Sequence, residues 1–344
     1  MNGPRVGVAG AGIAGTLLAW RLKLADRSLR VELVDTPSAE RGATGVSGGL
    51  VRGYEPDPLQ LDLAASTLAE LRVSRLLRAW SGYQETGSAY LRADPADPSA
   101  MEHLERLLPG SARACAPGEA PFVAARHTVV ERHAGFISPR RFRDEVLADF
   151  VRIGGDFVHG TVDAVHAEPG AVVSWLVDGE RRCYDRCVLA AGPWTPALLP
   201  GDEYRTKLIQ YGVYDATGTL PAPFVDAVTG LYGRPGPGNG VLLGVPSDAY
   251  DVDPTNLRPV PALLRRTSDL ATRVFPELGL AGPRHVVVAA DCYTAPPGLR
   301  LRPTAGAGTN LFTFTGGSGG AAKTALAAAR HAADRLLHQS PVPA

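Results

Sequence analysis

The chain has 344 residues, 45% hydrophobic and 20% charged, with 35 basic residues balancing 35 acidic ones. That length buries a substantial core and suits two domains, while zero net charge without long like-charge runs excludes a broad electrostatic footprint for nucleic acid and favours a small, locally charged ligand. No stretch reaches a membrane-spanning length, and four scattered cysteines (Cys115, Cys183, Cys187, Cys292) make no disulfide framework, so a cytoplasmic protein is expected.

Arg5 to Ala9 (RVGVA) reads as a short apolar strand and Gly10-Ala11-Gly12-Ile13-Ala14-Gly15 as a tight turn. Thr16 to Leu24 comes next as helix, and Val31 to Val34 as a second strand ending at Asp35. This is a complete βαβ unit for an adenine dinucleotide. Gly10 makes the turn, Gly12 lets the backbone approach a pyrophosphate on the helix N-terminus, Gly15 lets helix and strand pack closely, and Asp35 would hold a ribose hydroxyl. The apolar stretch from Val6 to Trp20 is therefore core rather than a signal peptide. The unit runs on into a glycine-rich loop, Arg41 to Gly49, which can lie beside a flat ligand because it lacks bulky side chains.

Leu59 to Trp80 has helical periodicity, and 83–135 is rich in Pro, Ala and Arg with short strand-like pieces. A helix is expected from Arg140 to Ile153 and strands from Asp156 to His159 and Val162 to Val165. A hairpin of Val172 to Leu176 with Arg182 to Tyr184 would turn at Asp178-Gly179. Arg186 to Ala190 reads as a buried strand that delivers the turn Ala191-Gly192-Pro193-Trp194 to the ligand edge of a parallel sheet. Further on come strands at Leu208 to Tyr214 and Gly240 to Val245, a helix from Pro261 to Phe275, and strands at Val286 to Ala290 and Leu311 to Phe314. The loop from Thr315 to Gly320 then opens an alanine-rich helix through Leu337. The expected class is α/β (α+β overall): a Rossmann-type nucleotide-binding domain in three segments (1–82, 136–203, 285–338), an inserted β-sheet-rich substrate domain (83–135, 204–284) and a loose tail (339–344).

Cys183 and Cys187 have no further ligand nearby and the eight histidines make no metal-binding pattern, so no metal is expected. Lysine occurs only at Lys23, Lys207 and Lys323, which gives extra weight to a lysine in a special position.

Several pieces in this order are similar to the FAD-dependent D-amino acid oxidase superfamily, and within it to the monomeric sarcosine oxidase branch. They are GAGIAG with Asp35, the loop ending in Leu50-Val51-Arg52, Gly135-Phe136-Ile137-Ser138-Pro139, Leu189-Ala190-Ala191-Gly192-Pro193-Trp194, Tyr232-Gly233, Cys292-Tyr293-Thr294, and Phe314 through Lys323. The resemblance implies a Rossmann-type FAD-binding domain with FAD held by Gly10, Gly12, Ile13, Ala14, Gly15, Asp35, Arg41, Thr44, Ser47, Gly48, Gly49, Val162, Ala191, Gly192 and Trp194. It also sets the Gly316, Gly317, Ser318, Gly319 and Gly320 amides, with Lys323, against the flavin pyrimidine, where negative charge develops on reduction. Arg52 corresponds to the family arginine that grips the substrate carboxylate, and Lys323 to the lysine that assists it. Tyr211, Tyr232 and Leu242 would face the substrate.

Departures from the family pattern are equally informative. The family's flavin-linking cysteine stands in a Cys-x-Tyr-Thr setting, whereas here Cys292 directly precedes Tyr293-Thr294. If Tyr-Thr sets the register, Asp291 takes the covalent position, and one residue reverses a strand side chain. Both arrangements, a thioether through Cys292 and a noncovalent flavin, stay open. Leu242 stands where the family has an oxygen-activating lysine, Pro246 where it has a histidine, and Gly49 and Gly320 where it has basic side chains. The roomier, less positive site argues against sarcosine itself, and Tyr54, Tyr211, Tyr214, Tyr232 and Tyr250 could line a larger pocket.

The expected activity is FAD-dependent oxidation of a C–N bond in an amino, cyclic imino or N-methyl amino acid to an imine. Electrons would pass to oxygen, in specialised metabolism. The alternatives are a dehydrogenase with another acceptor, a flavin monooxygenase and a noncatalytic flavoprotein.

Overall fold

The computed structural model describes residues 4–36, 42–120, 126–166, 173–201, 203–304 and 310–338. The chain forms two units: Met1–Gly45, Pro139–Lys207 and Asp291–Ala344 make the first, Val46–Ser138 and Leu208–Ala290 the second. Residues 46–82, expected with the nucleotide-binding segments, thus cluster in the second unit.

The first unit is built on a six-stranded sheet in the order Arg300–Pro303, Leu311–Thr315, Arg186–Leu189, Arg5–Ala9, Arg30–Asp35, Asp156–His159. All neighbours are parallel except the edge strand Arg300–Pro303. Arg5–Ala9 is central and buried from Val6 onward, which is why it reads as a continuous apolar run. Helix Ile13–Ala25 packs against helices Pro139–Arg152 and Ala321–His338. Alanines at 325, 327, 328, 329, 332 and 333 are buried and let the last of these approach closely. Lys23 is structural: its Nζ donates to the Arg27 and Leu29 carbonyls at 2.8 Å each.

A three-stranded ribbon, Val162–His166, Val173–Val177 and Glu180–Tyr184, accompanies this sheet. Its hairpin turns at Asp178 and Gly179, both at positive φ (48° and 81°), the geometry of a two-residue primed turn. Trp175 and Tyr184 lie over Gly7, where an added Cβ would meet both rings at 2.9 Å. Beneath them Glu32 accepts from Arg5 at 2.7 Å, from Arg182 at 3.1 Å and from the Tyr184 hydroxyl.

The second unit carries an eight-stranded sheet in the order Leu280–Thr294, Tyr204–Ala216, Gly240–Gly244, Tyr232–Pro235, Phe224–Asp226, Ser88–Arg92, His127–Glu131, Ala112–Cys115. Period-two alternation gives this sheet two unlike faces. Tyr214, Val241, Leu243 and Phe224 join Leu263, Leu270 and Val274 of helix Pro261–Val274 in one core. Tyr211, Val213, Tyr232, Arg234 and Leu242 take the other face. Two of the expected elements differ in extent. The helical stretch from Leu59 is two helices, Pro58–Val73 and Arg75–Ser81, because Ser74 is extended (φ −93°, ψ 109°) and caps the second through the Leu77 N–H. The strands expected at Leu208 to Tyr214 and Val286 to Ala290 are the middles of Tyr204–Ala216 and Leu280–Thr294.

Candidate active site

In the first unit, the turn after strand Arg5–Ala9 is shaped by close approach. Gly10 has φ 102°, and a Cβ there would fall 2.5 Å from the Ala190 carbonyl oxygen; one on Gly15 would fall 2.0 Å from the Gly10 oxygen. Asp35 accepts the Ala11 N–H at 2.9 Å and the Thr36 N–H at 2.8 Å. Burial pushes its carboxyl above the ordinary value, and these two donors oppose that shift. Thr44 Oγ1 accepts the Ile13 N–H at 3.0 Å. The Gly12 and Ala14 N–H groups have no partner among the described residues, and the helix starts without a side-chain cap or an acid in its first turn. Ala190 and Ala191 pack on Gly10, bringing the turn Gly192–Trp194 to this loop. The Gly160 N–H, donated to the Asp35 carbonyl at 2.9 Å, places Val162 two residues further along the same edge. Arg41 lies outside the described residues. Arg143, which the sequence reading did not single out, donates to the Ala11 carbonyl at 3.4 Å; its signal was a helix face rich in arginine, too common in this chain to stand out.

Also in the first unit, Gly316, Ser318 and Gly319 all have positive φ (75°, 49° and 80°) in the turn before helix Ala321–His338. Asp291 Oδ2 accepts the Gly319 N–H at 2.9 Å, and the Cys292 carbonyl accepts the Ser318 N–H at 3.2 Å. Cys292 is 1% exposed; burial pushes its thiol up to about 11, against bonds from Thr315 and the Gly316 N–H. The thiol is therefore protonated at neutral pH and turned toward protein. Lys323 lies along the turn, its Cε and Nζ each 3.4 Å from the point a Gly320 Cβ would occupy. Lys207 Nζ sits 4.8 Å over the Tyr293 ring.

In the second unit, three of the expected substrate-side residues share one face. Tyr211 and Tyr232 flank Gly244 from adjacent strands, and one step along the same face Leu242 lies between Val213 and Arg234. This face is turned to the loop that holds Ser47, Gly48 and Gly49. Tyr211 donates to the Val46 carbonyl at 2.5 Å, Arg234 Nε to the Gly48 carbonyl at 2.6 Å, and Leu242 stands 3.5 Å from a Cβ position on Gly48. Ser47 Oγ accepts the Gly49 N–H at 3.2 Å, and the Gly49 carbonyl accepts the Ile137 N–H at 2.9 Å. Burial raises the Tyr211 and Tyr232 hydroxyls and lowers the Arg234 guanidinium from their ordinary values. Tyr214 faces the core instead, Tyr54 is buried against Tyr90 and Tyr250 is exposed, which removes Tyr214 from the expected pocket lining.

Arg52 is buried and already engaged. Its Nη2 pairs with Glu55 at 2.7 Å, its Nε donates to the Tyr54 carbonyl at 3.1 Å, and its guanidinium lies 4.9 Å over the Tyr90 ring. Nη1 has no partner among the described residues. Glu131, 1% exposed, accepts the Gly53 and Tyr54 N–H groups at 2.7 and 3.0 Å and so fixes the backbone just beyond Arg52. Glu55 was missed in the sequence, although its i+3 spacing from Arg52 was a readable signal.

A family model described as DAO, FAD dependent oxidoreductase, matches residues 5–335. The chain belongs to this family. FAD is accordingly the cofactor of this oxidoreductase, and the unpartnered amides and Cβ-free approaches at residues 10–15 fit its pyrophosphate. A search of curated proteins returned no match. Among solved structures, this FAD-dependent oxidoreductase shares its fold with glycine oxidase from Bacillus cereus ATCC 14579 (16% identity, 98% of this chain and 96% of that one covered, TM-score 0.73). L-proline dehydrogenase from P. horikoshii also matches (16%, 99% and 96%, 0.77), as does NikD, an unusual amino acid oxidase essential for nikkomycin biosynthesis (19%, 99% and 95%, 0.74). No group of three or more metal-ligating side chains occurs among the described residues, and none of their helices is long and apolar enough to cross a membrane.

Proposed function

We propose that this oxidoreductase oxidises the C–N bond of an amino, cyclic imino or N-methyl amino acid larger or more aromatic than sarcosine. The observation that carries this reading is the sheet face on which Tyr211, Tyr232 and Leu242 stand beside Arg234 against the Val46–Gly49 loop, in a chain of an FAD family. The names of the glycine oxidase, L-proline dehydrogenase and NikD structures support the substrate class. Bound FAD would supply the two-electron acceptor for this chemistry, in which the substrate would lose a hydride equivalent from carbon and a proton from nitrogen to become an imine.

The chain's own residues supply the rest. Arg52 takes the substrate carboxylate at its open Nη1 edge while Glu55 keeps the buried charge balanced, and Glu131 holds the Gly53-Tyr54 backbone so that the guanidinium cannot swing away. Lys323, at the head of the terminal helix beside the Gly316–Gly320 turn, would balance the negative charge that develops on the reduced flavin. Tyr211 and Tyr232 give an apolar wall with polar rims, suited to a ring-bearing side chain.

Oxygen is the proposed electron acceptor. The dehydrogenase reading is favoured by one observation: the position two residues before Gly244 that would bear a cation is the buried, neutral Leu242. Anaerobic mixing with a panel of amino and cyclic imino acids tests the main reading, because substrates of the proposed class bleach the flavin without NAD(P)H. Readmitting oxygen or an artificial dye then separates oxidase from dehydrogenase. A flavin that none of the panel reduces would sink the amine-oxidising reading.

A further inference from the structure

The turn at residues 316–320 has five backbone amides, and four of them are already committed. The Gly316 N–H bonds to the Cys292 sulfur, the Ser318 N–H to the Cys292 carbonyl at 3.2 Å, the Gly319 N–H to Asp291 Oδ2 at 2.9 Å, and the Gly320 N–H to the Gly317 carbonyl at 2.8 Å. The Gly317 N–H has no partner among the described residues, and the Ala321 and Ala322 amides begin the helix, where no intrahelical acceptor exists. Three successive bonds thus fasten one edge of the turn to the end of strand Leu280–Thr294 and leave the amides at 317, 321 and 322 for a ligand.

Two of the fastening groups are side chains, the Cys292 sulfur and the Asp291 carboxylate, and only the carboxylate bonds to the turn and to its own strand at once. The Asp291 carboxylate is split between the Cys292 N–H at 2.8 Å and the Gly319 N–H, so its two oxygens are oriented by the strand before they reach the turn. Ser318 and Gly319 both sit at positive φ, a conformation that a serine adopts at a cost and that needs an outside restraint. Asp291 is also the residue that the Tyr293-Thr294 register places where a flavin-linking cysteine would stand.

We infer that Asp291 is a positioning residue which pins the Gly316–Gly320 turn through the Gly319 amide, so that FAD is held by an amide array in place of a covalent bond at this position. The inference rests on FAD as the cofactor. Asparagine at 291 keeps one carbonyl acceptor for Gly319, whereas alanine keeps none.

The test compares wild-type protein with Asp291→Ala and Asp291→Asn in three measurements: FAD affinity by flavin fluorescence, amide hydrogen exchange over 316–320, and unfolding of the FAD-free protein. The alanine variant should bind FAD about tenfold more weakly or worse, with faster exchange in the turn. The asparagine variant should stay within about threefold of wild type and keep the turn protected. Should the alanine variant not fold, the asparagine variant still decides, since lost protection of the turn with unchanged FAD affinity would overturn the proposal. Wild-type affinity in the alanine variant would overturn it as well, as would an asparagine variant as weak as alanine. Wild-type protein that takes up no FAD would instead strike at the cofactor assignment itself.

Discussion

Replacing Arg52 with methionine keeps much of its bulk and deletes its charge, and the size of the effect can be worked from the buried pair it breaks. The side chains of Arg52 and Glu55 are 9% and 11% exposed and meet at 2.7 Å. Charges about 4 Å apart at an effective dielectric of about 20 attract by about 4 kcal/mol. Removing one partner of such a buried pair typically costs about 3–5 kcal/mol. We expect a loss in that range near neutral pH, measured by urea unfolding at saturating FAD. The loss should depend on pH. Burial holds the Glu131 carboxyl above its ordinary value, the Gly53 and Tyr54 amides and Arg52 oppose this, and Glu55 adds to it. Without Arg52 the native Glu131 carboxyl binds its proton still more tightly than in the unfolded chain, so the native state carries more protons and its stability falls as pH rises above the unfolded carboxylate value. The deficit of Arg52→Met should therefore shrink on going from about pH 7.5 to about pH 5. A deficit under about 1 kcal/mol, or one that pH leaves unchanged, would refute the view that Arg52 neutralises a buried acidic pair.

Three further outcomes are expected. Asp35→Ala should weaken FAD binding by about 1–3 kcal/mol, read by fluorescence titration, because it removes a charged acceptor from the Ala11 amide and from the proposed ribose site; unchanged affinity would discount both contacts. Acid precipitation should leave the flavin in the supernatant, and Cys292→Ala should not alter that, since a buried thiol raised to about 11 is a poor nucleophile; a yellow pellet would show a thioether after all. Leu242→Lys should speed reoxidation of the photoreduced enzyme at least about tenfold, given the roughly 4 kcal/mol that a cation about 4 Å from a nascent anion can supply. An unchanged rate in stopped flow would mean that a cation already present, such as Arg234 opposite Leu242, meets the need.

The nucleotide half was legible because its chemistry is written in backbone requirements. Gly10 and Gly15 are glycines for reasons of contact within ångströms, and such positions tolerate few other readings. The break at Ser74 was hidden because both flanking helices continue one apolar pattern, and a single serine that caps by its hydroxyl looks the same as one on a helix surface. Tyr214 was grouped with Tyr211 by residue type, yet odd spacing in a strand sends the two to opposite faces. The engagement of Arg52 with Glu55 and the bond from Asp291 to Gly319 depend on how loops fold back, which composition and periodicity do not encode.

Gly7 shows how an absent methyl group can specify an address. Exchanging glycine for alanine in a strand usually stabilises a protein by about 0.4–1 kcal/mol, because the unfolded chain loses freedom. Here the Trp175 and Tyr184 rings stand 2.9 Å from where that methyl would go, and both are fully buried with no room to retreat. The vacant spot therefore acts as a socket for the ribbon. A routine stabilising substitution at this position would evict the aromatic pair and leave Glu32 without the hydroxyl that helps to hold its charge.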